Sequence, residues 1–173
     1  MKKMYKKIQL GLTMVESAMV LAIGTLVIAG VMIFYQSASN NSKTNEVLSQ
    51  ISDLNSTIRK IYTTAPNYNT LTNAAMINSN VLPNKMVNNN TIYHAFNSTI
   101  TLAPTSHNGG TNNAYFMTLN NMPSEACSKI ILSDMGRSLV EVRVNTTTLP
   151  FPVTPASTVR CGTSRANIRL KFQ

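Results

Sequence analysis

From Ser17 to Phe34 the chain runs for 18 residues without a charge. No other stretch limits its fold as strongly. A bilayer core is about 30 Å thick and a helix rises about 1.5 Å per residue, so this run predicts a membrane-spanning helix. Lys2, Lys3, Lys6 and Lys7 precede it and predict an N-terminus held in the cytoplasm. Glu16 stands at the start of the run. A carboxylate there costs up to a few kcal/mol, which makes it a functional candidate by default. It is the fifth residue after Gly11. A cut after Gly11 would give Leu12 a new α-amine, and the Glu16 of a neighbouring copy would then pair with it, each charge compensating the other. Within one chain that pairing is harder, because a helical turn advances only about 3.6 residues.

Gly11-Leu12-Thr13-Met14-Val15-Glu16, followed by the apolar run, resembles the class III leader of type IV prepilins. The resemblance implies that a prepilin peptidase cuts after Gly11 and that the new first residue, Leu12, is N-methylated. It also implies that Glu16 guides assembly. Leucine in place of the more common phenylalanine at the first mature position is the habit of the type IVb branch. Ser17 to Ala22, Val31-Met32 and Tyr35 to Ser39 are similar to bundle-forming, enteric and conjugative thin-pilus major pilins of that branch. The likeness covers roughly residues 8 to 65 and is architectural beyond them.

Three other readings fit parts of this stretch. An ordinary secretory signal has a basic region, an apolar region and a small-residue cleavage site, which Ser37-Ala38-Ser39 would supply. The run is long for such a signal, and a glutamate in it is unusual. A plain membrane anchor is the second reading. In the third, Glu16 is only an interfacial residue. The first two leave the joint presence of Gly11 and Glu16 unexplained.

Formal net charge is +9. Four of those charges lie in the leader, so the remaining 162 residues carry +5. That excess is spread over Arg137, Arg143, Arg160, Arg165, Arg169 and Lys171 with no aromatic interleaving, and reads as a solvated surface rather than a specific nucleic-acid site. Charged residues make up 12 % of the chain and Asn, Ser and Thr are abundant, which suits an extracellular protein that packs against its own copies. Cys127 and Cys161 are the two cysteines. In an exported chain they read as one disulfide, worth about 3–4 kcal/mol on a chain-entropy estimate.

The helix is predicted to continue past the membrane boundary. Val47, Ile51, Leu54, Ile58 and Ile61 recur at helical spacing, with Leu48 and Tyr62 beside them, and no proline intervenes before Pro66. That stripe predicts one helix over about 13–63, its first half projecting and its second half lying on a globular head. Helix-poor Ser37 to Ser42 leaves open a break at Asn40-Asn41. Gly24 and Gly30 permit close helix approach or local unwinding. The connection 66–90 has little regular pattern, with a helical turn expected over 67–75; in the pilin resemblance it is the αβ-loop. Strand signals start at Ile92 and continue at 99–103, 114–119, 139–144 and 167–172. A short helix after Pro123, capped by Ser124 or its neighbour and ended by Gly136, carries Cys127.

Helix, loop, antiparallel strands and a late cysteine pair predict an α+β fold, a sheet on the amphipathic half of the helix. In the resemblance this is the type IV pilin fold, with 127–161 as its disulfide-bounded D-region. The expected segments are a cleaved leader over 1–11, an apolar transmembrane and assembly half over 12–39, and a globular head over 40–173.

The chain offers little to an enzyme. Two histidines, few carboxylates and no phosphate loop or nucleophile elbow stand in it. A triad of Ser124, Glu125 and His107 exists on paper only. His94, His107 and the cysteines lack zinc spacing, and no metal, catalytic residue or cofactor is expected. Asn40, Asn55, Asn90 and Asn97 fit an N-glycosylation spacing that reads as composition. The expected function is the major subunit of a type IVb pilus, a homo-oligomeric helical filament for adhesion, aggregation or conjugative contact. The implied partners are the prepilin peptidase and the inner-membrane assembly machinery, with the precursor in the bacterial inner membrane and the product extracellular. The alternatives are a minor pilin, a pseudopilin of a secretion machine, and a secreted binding domain starting near Asn40.

Overall fold

The computed structural model describes residues 13–173. The expected leader, with the expected cleavage position at Gly11 and Leu12, lies outside them. Two compact units meet at Ser39 and Asn40. Helix α1 is assigned over Met14–Ile61 and passes through Asn40 and Asn41 without interruption. In the first unit its side chains are almost all exposed. In the second unit its inward face is Thr44, Val47, Gln50, Ile51, Leu54 and Ile58, the expected stripe shifted back by one turn. Ile61, expected in the stripe, is 41 % exposed, because the helix ends there.

After α1 come a short helix, α2 (Asn73–Asn78), and strands β1 (Val87–Asn88), β2 (Thr91–His94), β3 (Ser98–Thr105) and β4 (Ala114–Met122). Helix α3 (Ser124–Leu132), β5 (Leu139–Val144), β6 (Thr147–Thr148), a 3₁₀ segment (Pro155–Cys161) and β7 (Ala166–Phe172) complete the chain. The sheet is antiparallel, ordered β1-β2-β3-β4-β7-β5-β6. The last strand is therefore central, and β5 and β6 join the sheet only through it. Strand alternation sends Ile100, Leu102, Met117, Leu119, Ile168, Leu170 and Phe172 inward, where they form one core with Val47, Ile51, Leu54 and Ile58 of α1.

Three local expectations are corrected. The helical turn lies at Asn73–Asn78 rather than 67–75, since Thr72 caps it by accepting from Ala75 N–H. Asn73 then completes the β3 edge beyond short β2, donating to Ile100 O and accepting from Leu102 N–H, both at 2.7 Å. Ser124 does not cap α3; its hydroxyl donates to Gly162 O, and Pro123 holds the N-cap position. Helix α3 stops at Leu132 rather than at Gly136, which takes φ +79° in the turn before β5.

The asparagine content has a backbone cause. Every positive-φ residue other than glycine among the described residues is an asparagine, at 80, 89, 90, 97, 108, 112, 121 and 145. Asparagine tolerates the left-handed region that tight connections need.

Candidate functional site

The first candidate is the start of α1. Glu16 lies in its first turn, and the helix is opened by a reciprocal pair. Glu16 N–H donates to Thr13 Oγ1 at 3.3 Å. In return Glu16 Oε2 accepts from Thr13 N–H and from the Thr13 hydroxyl, each at 2.9 Å. This is a capping box, satisfying two amides that a helix start leaves without intrahelical partners. Its signal, Thr-x-x-Glu ahead of an apolar run, was readable from sequence alongside the Gly11 spacing. Glu16 Oε1 has no hydrogen-bond partner among the described residues.

Beyond Glu16 the described residues of the first unit have almost no cover among themselves. Fourteen large apolar side chains from Met14 to Tyr35 are each at least 60 % exposed. At roughly 1.5–3 kcal/mol per side chain, leaving them in water costs on the order of 20 kcal/mol. Water is therefore a costly environment for them. A Cβ added at Gly24 or Gly30 would meet nothing within 4 Å, so the helix offers two open notches for close packing.

The second candidate is the cysteine-bounded part of the head. Cys127 on α3 and Cys161 at the end of the 3₁₀ segment form a disulfide, with Cα atoms 5.9 Å apart. Leu132, Phe151 and Val159 are exposed within the segment it closes.

A family model described as Bundlin matches residues 36–169. The chain belongs to the Bundlin family. The "Major structural subunit of bundle-forming pilus" of Escherichia coli O127:H6 (strain E2348/69 / EPEC) is 33 % identical over 146 residues, 83 % of this chain and 75 % of that protein. The protein of the same description from Escherichia coli O111:H- matches equally. Two solved structures share the fold. The type IVb pilin from Salmonella typhi has a TM-score of 0.56 at 15 % identity, covering 73 % of this chain and 97 % of that one. TcpA, a type IV pilin from Vibrio cholerae El Tor biotype, has a TM-score of 0.55 at 10 % identity, covering 76 % and 99 %. The long N-terminal helix, antiparallel sheet and disulfide are thus those of a type IV pilin.

Within this Bundlin-family head, α1 is fixed by polar as well as apolar contacts. Tyr115 OH donates to Asn55 Oδ1 at 2.7 Å, and Asn55 Nδ2 donates to Ser138 Oγ at 3.2 Å. Gln50 Oε1 accepts from Ala95 N–H at 3.2 Å. Tyr115 is fully buried between Tyr68 and Phe172. Burial pushes its hydroxyl pKa up, the nearby Tyr68 adds to the shift, and Arg59 opposes it.

Arg137, Arg160, Arg165 and Arg169 are exposed as expected, whereas Arg143 is half-buried and Lys171 is buried. Arg143, Arg169 and Lys171 converge on the Phe116 ring, at 5.4, 5.3 and 5.5 Å from its centroid. Pairing of β7 with β4 and β5 causes this, since Phe116 faces Lys171 and Arg169 faces Arg143. No window of sequence contains that cluster. Glu141 accepts from Arg143 Nε and lies 3.5 Å from Lys171 Nζ. Partial burial raises its carboxyl pKa, but these two cations outweigh it and hold the group below the usual glutamate value. The paper triad does not assemble: Ser124 is committed to Gly162 O and Glu125 to Lys129.

Proposed function

We propose that the chain is the major structural subunit of a type IVb pilus, polymerising through the first half of α1 into a surface filament. The observation that carries this is an uncovered apolar helix with one carboxylate at its start, joined to a Bundlin-family head whose relatives are pilus major subunits. The precursor sits in the bacterial inner membrane, a prepilin peptidase cuts it after Gly11, and Leu12 is N-methylated. Inner-membrane assembly machinery then adds the subunit to an extracellular homo-oligomeric filament. The protein acts as a structural element, not an enzyme.

The energetics of assembly follow from the helix. Moving apolar side chains from lipid to a helical core hides little new area from water. Specificity therefore rests on close packing, for which Gly24 and Gly30 leave room, and on charge. Glu16 Oε2 is held by Thr13 while Oε1 is open, so a neighbour's Leu12 ammonium has an oriented acceptor. An unpaired carboxylate in that core is strongly disfavoured, and pairing removes the penalty.

The test is Glu16→Ala in the producing cell, read by membrane fractionation, processing and filament yield. The expected protein is inserted and cut but absent from filaments. Wild-type filament yield would overturn the assembly mechanism.

A further inference from the structure

On the face of the sheet away from the core is a hollow of about 300 Å³ lined by Thr118, Asn120, Asn145, Thr146, Asn167 and Arg169. That size is at the lower end of ordinary ligand pockets, enough for one monosaccharide-sized group. No apolar side chain lines it.

The hydrogen bonds around it leave an uneven set of free groups. Asn145 Oδ1 accepts from Asn167 N–H at 2.9 Å, and Asn167 Oδ1 accepts from Asn121 N–H at 2.8 Å. A carboxamide whose oxygen is bound to an amide N–H has its orientation set, and what it offers outward is its NH₂. Neither NH₂ meets an acceptor among the described residues. The Thr118 and Thr146 hydroxyls are likewise uncommitted there.

Arg169 adds a full charge. It stands opposite Arg143 in the β5–β7 pairing, a like-charge arrangement that ordinarily destabilises a sheet. The carboxylate of Glu141 is engaged by Arg143 and Lys171. Arg169 makes no ion pair among the described residues. Arg165 donates to the carbonyl oxygen of Asn121 at 3.0 Å, the residue whose N–H donates to Asn167 Oδ1.

Two carboxamide donors in the hollow, beside an Arg169 guanidinium that lies over the neighbouring Phe116 ring and has no ion pair among the described residues, suit an oxyanion, and guanidinium matches a planar carboxylate in a bidentate fork. Asn120 donates its NH₂ to Thr99 and Thr101, at 2.9 and 3.3 Å, which leaves its Oδ1 as an acceptor for a ligand hydroxyl. A carboxylate and hydroxyls on one small polar ring are the features of an acidic sugar.

We propose that this hollow binds the carboxylate of an acidic monosaccharide unit, with Arg169, Asn145 and Asn167 on the carboxylate and Thr118 and Asn120 on the sugar hydroxyls. The site belongs to the head alone and is independent of whether the chain polymerises.

The test uses the ¹⁵N-labelled full chain in detergent micelles, titrated with sodium glucuronate, D-glucose and sodium sulfate. Glucuronate is expected to shift the Asn145 and Asn167 side-chain amide signals saturably, glucose to leave them unmoved, and sulfate to bind at least tenfold more weakly. Arg169→Gln should weaken glucuronate binding at least tenfold, and Thr118→Val severalfold, with backbone signals elsewhere unchanged. Unmoved carboxamide signals, sulfate binding as tight as glucuronate, or wild-type glucuronate affinity in both variants would each overturn the proposal.

Discussion

Replacing Tyr115 by phenylalanine isolates one buried hydrogen bond between the sheet and α1. The ring keeps its place against Tyr68 and Phe172, at centroid distances of 4.9 and 5.7 Å. Only the hydroxyl is lost, and with it the 2.7 Å bond to Asn55 Oδ1. An amide oxygen left without its donor costs about 1–3 kcal/mol. For a head spanning Asn40–Gln173, each kcal/mol moves Tm by about 3–5 °C. The expected loss is therefore about 3–15 °C, read by thermal denaturation of the full chain in detergent. Asn55→Ala removes the bonds to both Tyr115 and Ser138. In the double variant the two losses should fall short of adding, with a coupling of roughly 1 kcal/mol. Tyr115→Phe melting with the wild type, or strictly additive losses, would show that the Tyr115–Asn55 bond does not hold α1 to the sheet.

Two further predictions concern the head. Cys127→Ser with Cys161→Ser should cost about 3–4 kcal/mol by releasing the closed loop in the unfolded chain, seen as a lower urea midpoint than that of the oxidised protein. His94 should make stability fall in mild acid. Its Nε2–H donates to Asn120 O at 2.8 Å and its Nδ1 accepts from Phe96 N–H at 3.2 Å, so protonation at Nδ1 sets donor against donor. Burial holds its pKa below the ordinary histidine value; Arg165 acts in the same direction, while the Asn120 bond opposes it. Stability is thus full above about pH 6.5, where the unfolded histidine is neutral, and declines as pH falls until the folded group also protonates. A Tm profile from pH 7.5 to 5 should slope in the wild type and flatten in His94→Gln.

What could be read from sequence was what is local and periodic. The α1 stripe, the alternation of β3, β5 and β7, and the cysteine pair each express a fold rule within a few residues or a single pairing. The stripe still erred at Ile61, because periodicity does not say where cover ends. Ser124 looked like a cap, but Gly162, 38 residues away, takes its hydroxyl. The meeting of Phe116 with Arg143, Arg169 and Lys171 depends on β7 entering between β4 and β5, which no local pattern encodes. The free donors of Asn145 and Asn167 are hidden for the same reason, since their oxygens are committed across strands. The capping box of Thr13 and Glu16 was local and readable, yet the Gly11 spacing offered a second reason for the same glutamate. The two reasons are compatible, since one carboxylate oxygen serves the cap and the other has no partner among the described residues.

The proposed cut after Gly11 would release an N-terminal helix that builds a filament. The most direct measurement is the intact mass and N-terminal sequence of this protein in filaments sheared from the cell surface. The expected chain starts at N-methylated Leu12, with its mass two hydrogens short for the Cys127–Cys161 bond. A chain starting near Asn40, or absence from the sheared filaments, would contradict it.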